Sequence, residues 1–416
     1  MKDTVSIKAS TNILLTAFLL LLLSACHPWD NPENDDNDNR LTRTILVYMV
    51  AENSLSYGGF QQQDFDEIAS SVGDIPDDCR LLIYMDDTDF PRLYVSDKSE
   101  PSGIRQMLHW QTDLDSCDPN VLKELMNAIV TLYPSKGYGL VFWSHGNAWL
   151  PKTRSRAPQQ RTIGIDNGRN SSDNSGSKME ISQLKEALSD FPQLDFLMFD
   201  ACFMQTIEVA WELRDVTHYI IASPAEIPNP GAPYHNIIAP MFVPKADVEG
   251  IIDQYYHFYA DSVVLIREGY SSSHGAVLSV VDCTQLEALQ AATDKMIRRY
   301  ASTEEDFGLL SLLRYFPISS QTIPEYFDMK AYMRHLITSP DDWKEWLATF
   351  DAAVPYRRAT DHWFTSYTGR YMYIGNEENY GGISMFVPQP DSYFATLLEQ
   401  FRKTSWYPVS GWSAFY

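Results

Sequence analysis

The chain has 416 residues, 44% hydrophobic and 13% aromatic, enough apolar surface for one large core or two modest ones, which excludes a disordered or fibrous protein. Lys and Arg number 32 against 55 Asp and Glu, a formal net charge of -23 that repels phosphate backbones and excludes nucleic acid as a partner. Five cysteines, Cys26, Cys79, Cys117, Cys202 and Cys283, form no CxxC and no Cys/His cluster of metal-ligand spacing, so neither a disulfide framework nor a structural zinc site is indicated.

At the N-terminus Lys2 and Lys8 precede an apolar run from Ile13 to Leu23. The run is 11 residues long, against roughly 20 for a spanning helix, so it reads as a secretion signal over residues 1–25. Leu23-Ser24-Ala25-Cys26 resembles the lipobox of bacterial lipoproteins, which predicts acylation of Cys26 and a lipid-anchored protein of the cell envelope, periplasmic or surface-exposed. His27 to Arg40 is rich in Pro, Asn and Asp without apolar periodicity, and residues 26–43 are expected to be an acidic, solvated tether.

Ordered structure is predicted from Thr44, where Ile45 to Val50 is a continuous apolar run of strand length. The same signature recurs at Arg80–Met85, Gly139–Trp143, Leu194–Phe199, Tyr219–Ala222 and Ala276–Val281. Continuous apolar strands are buried on both faces, as in parallel sheets covered by helices. Asp118 and Pro119 suit a helix start, with Leu122, Leu125, Met126, Ile129 and Val130 on one face. Ile181, Leu184 and Leu188 repeat that pattern. The fold class is therefore α/β, a three-layer sandwich around a mostly parallel sheet over residues 44–283. Residues 151–178 form a long polar loop, with Lys152, Arg154, Arg156, Arg161, Arg169 and Lys178 available to a basic-directed peptidase. Residues 284–416 read as a mainly helical subdomain, with a strand near 381–387 returning to the sheet.

In open parallel sheets ligands bind beyond the carboxyl ends of the strands. One apolar run ends in His145-Gly146 and another in Asp200-Ala201-Cys202. Singly, such a cysteine or histidine is an ordinary structural residue; together at one sheet edge they supply a base and a thiol nucleophile. Phe203 to Leu213 is expected to follow as a helix whose N-terminal end favours the Cys202 thiolate. The backbone N–H groups of Gly146 and Cys202 would form an oxyanion hole. Ser144 lacks a G-x-S-x-G elbow, which argues against a serine hydrolase.

RTILVYMVAENSL, LVFWSHGNAW and FDACFMQTIEVAWEL resemble the opening strand and the His and Cys motifs of the clostripain family of cysteine peptidases. IGIDNGRN, IIASPAEIPNPGAPY and YGGISMFVP fall where that family has later landmarks. The resemblance implies a caspase-like fold, endopeptidase activity on peptides or proteins, His145 as base, Cys202 as nucleophile and Asp200 lining the pocket for the residue before the cut. It also implies a preference for Arg or Lys there, and relatives can activate by cutting a segment such as 151–178. Ser223-Pro224-Ala225 departs from the family by lacking its usual acidic residue, with Glu226 one step later as a candidate substitute. No cofactor is expected. Calcium stays open, because clostripain-type enzymes can depend on it while Asp166 to Lys178 does not follow an EF-hand loop. The chain is expected to be a monomer. The competing reading is a catalytically silent, clostripain-like surface lipoprotein that only binds.

Overall fold

The computed structural model describes residues 40–149, 162–169, 174–243, 246–261, 274–304, 307–315, 326–366, 369–390 and 394–416. Cys26, the signal and most of the tether lie outside these residues, as do 150–161 and 170–173 of the long loop.

In chain order the strands are β1 (Leu41–Val50), β2 (Cys79–Asp86), β3 (Arg92–Ser96), β4 (Ile104–His109), β5 (Ser135–Trp143), β6 (Thr162–Asp166), β7 (Ser177–Glu180), β8 (Leu194–Asp200), β9 (Thr217–Ala222), β10 (Val277–Asp282), β11 (Tyr326–Asp328), β12 (Tyr356–Ala359), β13 (His362–Thr365), β14 (Arg370–Tyr373) and β15 (Ser384–Phe386). The apolar runs become the centre of one nine-stranded sheet, in the order β12-β10-β9-β8-β5-β1-β2-β3-β4. The run from β9 to β2 is parallel, and antiparallel strands close both edges.

Because side chains alternate along a strand, each central strand feeds two cores. Ile45, Val47 and Met49 of β1 pack with Val141, Trp143, Phe196 and Met198 on one side. There the helices Phe60–Ser70, Tyr234–Met241 and Val248–Ala260 cover the sheet through Ile68, Ile237 and Ile252. Leu46, Tyr48 and Val50 pack on the other side with Leu140, Phe142 and Phe199. The covering helices on that side include Pro119–Leu132, Ile181–Leu188 and Leu286–Tyr300. Pro119–Leu132 starts as its sequence predicts, with the Asp118 carboxylate capping the Asn120 N–H and Pro119 in the first turn.

The C-terminal part carries the helices Met329–Leu336, Pro340–Ala353 and Phe394–Phe401, and its Trp346, Phe350, Phe401 and Trp412 belong to the same core as Phe142 and Phe199. It also donates β12 to the sheet edge. The strand expected near 381–387 forms as β15, but it does not return to the main sheet. It pairs with β11 in a separate two-stranded unit. The main sheet's edge beside β10 is already taken by β12. Phe386 is instead fixed to the helix Ile207–Leu213 by its N–H, which donates to Glu208 Oε1 at 2.8 Å. Among the described residues no helix is long and apolar enough to cross a membrane.

Candidate active site

β5 and β8 are parallel neighbours with Trp143 opposite Asp200, so the residues just beyond each strand emerge side by side. His145 and Cys202 both line a cavity of about 430 Å³ outside the carboxyl edge of the sheet. Both also line a smaller adjoining cavity of about 90 Å³.

His145 is held from both directions. Its carbonyl accepts the Gly164 N–H at 3.0 Å, while the Asn147 N–H donates to the Thr162 carbonyl at 3.4 Å. These bonds join the 144–147 segment to β6, with Gly146 opposite Ile163, and leave the N–H of Gly146 out of the pairing. On the imidazole, Nε2 lies 2.8 Å from the Ser54 hydroxyl. Ser54 follows Asn53, whose amide donates to the carbonyls of Val50 and Ile165, each at 2.9 Å. Ser144 donates to the Val50 carbonyl at 2.7 Å. The histidine platform is thus built from the ends of β1, β5 and β6.

Gly146 has to be glycine because a Cβ there would stand 2.7 Å from the Cys202 carbonyl oxygen. That closeness places the backbone of Gly146 directly against the cysteine turn.

The helix expected at Phe203 begins later, at Ile207, with Thr206 as its cap. Phe203 takes φ 63°, a left-handed conformation that interrupts any helix. The N–H groups of Phe203 and Gln205 donate instead to the carbonyls of Ala225 and Ser223, at 2.9 and 3.0 Å. Cys202 therefore sits on a turn and not at the start of a helix. The donor that reaches Sγ is the N–H of Ile227, at 3.3 Å. Burial pushes the thiol up to about 12, against the pull of that N–H, and Glu226 and Asp200 push in the same direction as burial.

Asp200 points into the smaller cavity, where Oδ2 accepts the Tyr234 hydroxyl at 3.0 Å and the Ala232 N–H at 3.3 Å. Opposite it stands a carboxylate missed at the level of sequence. Asp64 lies on the helix Phe60–Ser70, its Oδ2 accepts the Trp143 indole N–H at 2.6 Å, and its buried Oδ1 has no hydrogen-bond partner among the described residues. Gly231, at φ 92°, approaches both carboxylates: a Cβ there would be 3.6 Å from an oxygen of each. Burial pushes Asp200 up to about 6, and burial with the nearby Asp200 charge pushes Asp64 well above the usual range. The walls are Leu55, Phe60, Trp143, Pro228 and Pro230, apolar surfaces that fit an aliphatic stem.

Glu226 does not join this pair. It lines the larger cavity and accepts the Ser366 hydroxyl at 2.5 Å. Of the long loop, Asn174 and Lys178 reach the same cavity. Ser54 and Asp64 carried one sequence signal each: Ser54 comes just after the end of a buried strand, and Asp64 falls between Gln61 and Ile68 on the buried helix face, where a carboxylate is costly without a role.

The model of the clostripain family matches residues 47–416. A secreted C11 cysteine protease from Bacteroides thetaiotaomicron, solved with an irreversible peptide inhibitor, superposes with a TM-score of 0.75 at 28% identity over 89% of this chain and 99% of that one. An inactive zymogen C11 protease from Parabacteroides distasonis gives 0.73 at 27% identity, covering 89% and 98%. Clostripain of Hathewaya histolytica is 23% identical over 274 residues, 55% of this chain and 51% of the relative, so the match spans about half the length of that curated protein.

Proposed function

The chain belongs to the clostripain family, and on that basis we propose that it is a cysteine endopeptidase in which His145 and Cys202 form the catalytic dyad. The observation that carries the reading is the convergence of an imidazole, a thiol and an acidic side pocket on one cavity system at the carboxyl edge of a parallel sheet.

The resting thiol is protonated, since burial pushes it up to about 12. His145 takes that proton as the sulfur attacks the carbonyl carbon of the scissile bond. The oxygen of the tetrahedral intermediate is stabilised by the N–H groups of Gly146 and Cys202. The imidazolium then protonates the departing amine, leaving a thioester, and a water activated by the neutral imidazole hydrolyses it. Ser54 keeps the ring in place through Nε2.

The pocket for the residue before the cut is the smaller cavity. Asp200 and Asp64 face each other there and hold a proton between them near neutral pH. An incoming Arg or Lys would displace that proton and pair with both oxygens, with its stem along Phe60, Trp143 and Pro228. Asp64 thus supplies the second anion that Ser223-Pro224-Ala225 does not. Processing within 151–178 fits the contact of Asn174 and Lys178 with the substrate cavity. Cys26 is the proposed site of lipid attachment, which would place the enzyme in the cell envelope. The silent-binder alternative has no supporting observation, since both members of the dyad border the cavity. Turnover of peptide substrates by the wild type, absent in Cys202→Ala, is the direct test.

A further inference from the structure

The larger cavity extends along the sheet edge to both sides of Cys202. His145 follows β5, Cys202 follows β8 and Glu226 follows β9, and these strands are neighbours in the order β9-β8-β5. Beyond Glu226 the cavity is lined by His274, just ahead of β10, and by Phe364 of β13. Because β10 runs antiparallel to both β9 and β12, its start and the end of β12 meet at this same edge. The Phe364 N–H donates to the His274 carbonyl at 2.7 Å, which joins the two at that end of the cavity.

The direction of a bound peptide follows from the chemistry of the dyad. The imidazole must reach the departing amine, so the residues after the cut lie on the β5 side of the sulfur. Those before the cut run the other way, toward β9 and β10, along Ile227, Pro228 and Asn229, which border both cavities. Glu226 therefore stands on the side of the residues that precede the cut. Its charge acts on the Cys202 thiol, which keeps it within a few residues of the scissile bond.

Glu226 Oε1 accepts the Ser366 hydroxyl at 2.5 Å, but its buried Oε2 receives no hydrogen bond from the described residues. Next to it the His274 imidazole stacks on the Phe364 ring, with centroids 4.8 Å apart and planes at 28°. A carboxylate oxygen lacking a donor, set in one cavity with aromatic rings, offers a guanidinium both a charged hydrogen bond and a surface to stack on. Alternate side chains of an extended peptide share a side, about 6.4–6.8 Å apart. With the first residue before the cut directed into the smaller cavity, the third turns back to the protein and the second faces away. The chain itself carries basic residues at this spacing, in Lys152-Thr153-Arg154-Ser155-Arg156.

We propose that Glu226, with His274 and Phe364, forms a second cation subsite that selects Arg at the third residue before the cut, so that the preferred substrates are basic-x-basic segments. This rests on the peptidase reading and on the acidic pocket for the first residue.

The test uses the full chain and fluorogenic peptides with Arg or Lys before the cut, Ser at the second position, and Arg, Gln or Glu at the third. Arg at the third position is expected to give about tenfold higher kcat/KM than Gln, and Glu a lower value than Gln. In Glu226→Gln the ratio of Arg to Gln should fall close to one, and in Phe364→Leu it should fall part of the way. The preference at the first residue should persist in both variants, a pattern that a general disturbance of the site would not produce. Equal rates for Arg and Gln at the third position in the wild type, or a ratio that survives in Glu226→Gln, would overturn the proposal. A wild type that cleaves none of these peptides would instead sink the peptidase reading, and this subsite with it.

Discussion

Replacing Asp200 by Asn removes the charge that meets a basic side chain but keeps the volume and one acceptor for the Tyr234 hydroxyl and the Ala232 N–H. A cation brought into this buried pocket without its partner is penalised by about 3–5 kcal/mol. Asp64 stands on the opposite wall and can ionise in response, which moves the expected loss to the lower end. A loss of about 3 kcal/mol corresponds to roughly a 100-fold fall in kcat/KM for Arg or Lys before the cut. Asp64→Asn leaves Asp200 ionised above about 6, so its loss is smaller, on the order of tenfold. Because Asp200 is raised to about 6, its carboxylate forms as pH climbs through that value. Efficiency on basic substrates is therefore expected to rise between about pH 5 and 7 in the wild type, and this rise should vanish in Asp200→Asn. The assay is a peptide library varied at the residue before the cut, run on wild type and both variants over that range. Equal rates for neutral and basic residues on the wild type would rule out an acidic pocket for that residue. An equal fall for all substrates in Asp200→Asn would do the same, by assigning Asp200 only to holding Ala232 and Tyr234.

Ser54→Ala removes the hydroxyl 2.8 Å from His145 Nε2 and is expected to lower kcat about 10–100-fold with little change in KM, measured by steady-state kinetics. Cys26→Ser should abolish metabolic lipid labelling and release the protein from the membrane fraction; unchanged fractionation would reject lipidation there. Substituting the basic residues of 151–178 should yield a chain that stays intact on a denaturing gel and is nearly inactive, and full activity in the intact chain would show that processing is not needed. Glu52, raised to about 8 by burial, holds a proton in the folded chain that the unfolded chain releases above roughly pH 4.5. Its contribution to stability is present at low pH and lost as pH rises through about 8, so the thermal midpoint should decline over that window.

The parallel centre of the sheet was legible because strands buried on both faces cannot alternate: Ile45 to Val50, Leu140 to Phe142 and Phe196 to Phe199 are apolar throughout. The residues at the carboxyl ends of these runs include His145, Cys202 and Asp200, since the strand ends define the edge where chemistry gathers. The edge strands escaped, because β3 and β4 are short and half-exposed, and RLYVS and IRQMLH resemble loop sequence. The helix start after Cys202 was misplaced because local propensity favours helix from Phe203, whereas pairing with the Ser223–Ala225 backbone prevails. Asp64 and Ser54 required tertiary structure: one is set opposite Asp200 by the docking of a helix, and the other reaches His145 across 91 residues of sequence. Glu226 was one residue from a familiar position and points elsewhere, to Ser366.

The catalytic assignment is tested most directly by treating the protein with a peptidyl electrophile bearing Lys or Arg and mapping the adduct by mass spectrometry. Cys79, Cys117 and Cys283 are buried, whereas Cys202 opens on the cavity. The expected result is one adduct, on Cys202, lost in Cys202→Ala and strongly slowed in His145→Ala. Labelling of Cys202 no faster than of Cys283, or peptide cleavage that survives in Cys202→Ala, would contradict the assignment of Cys202 as the nucleophile.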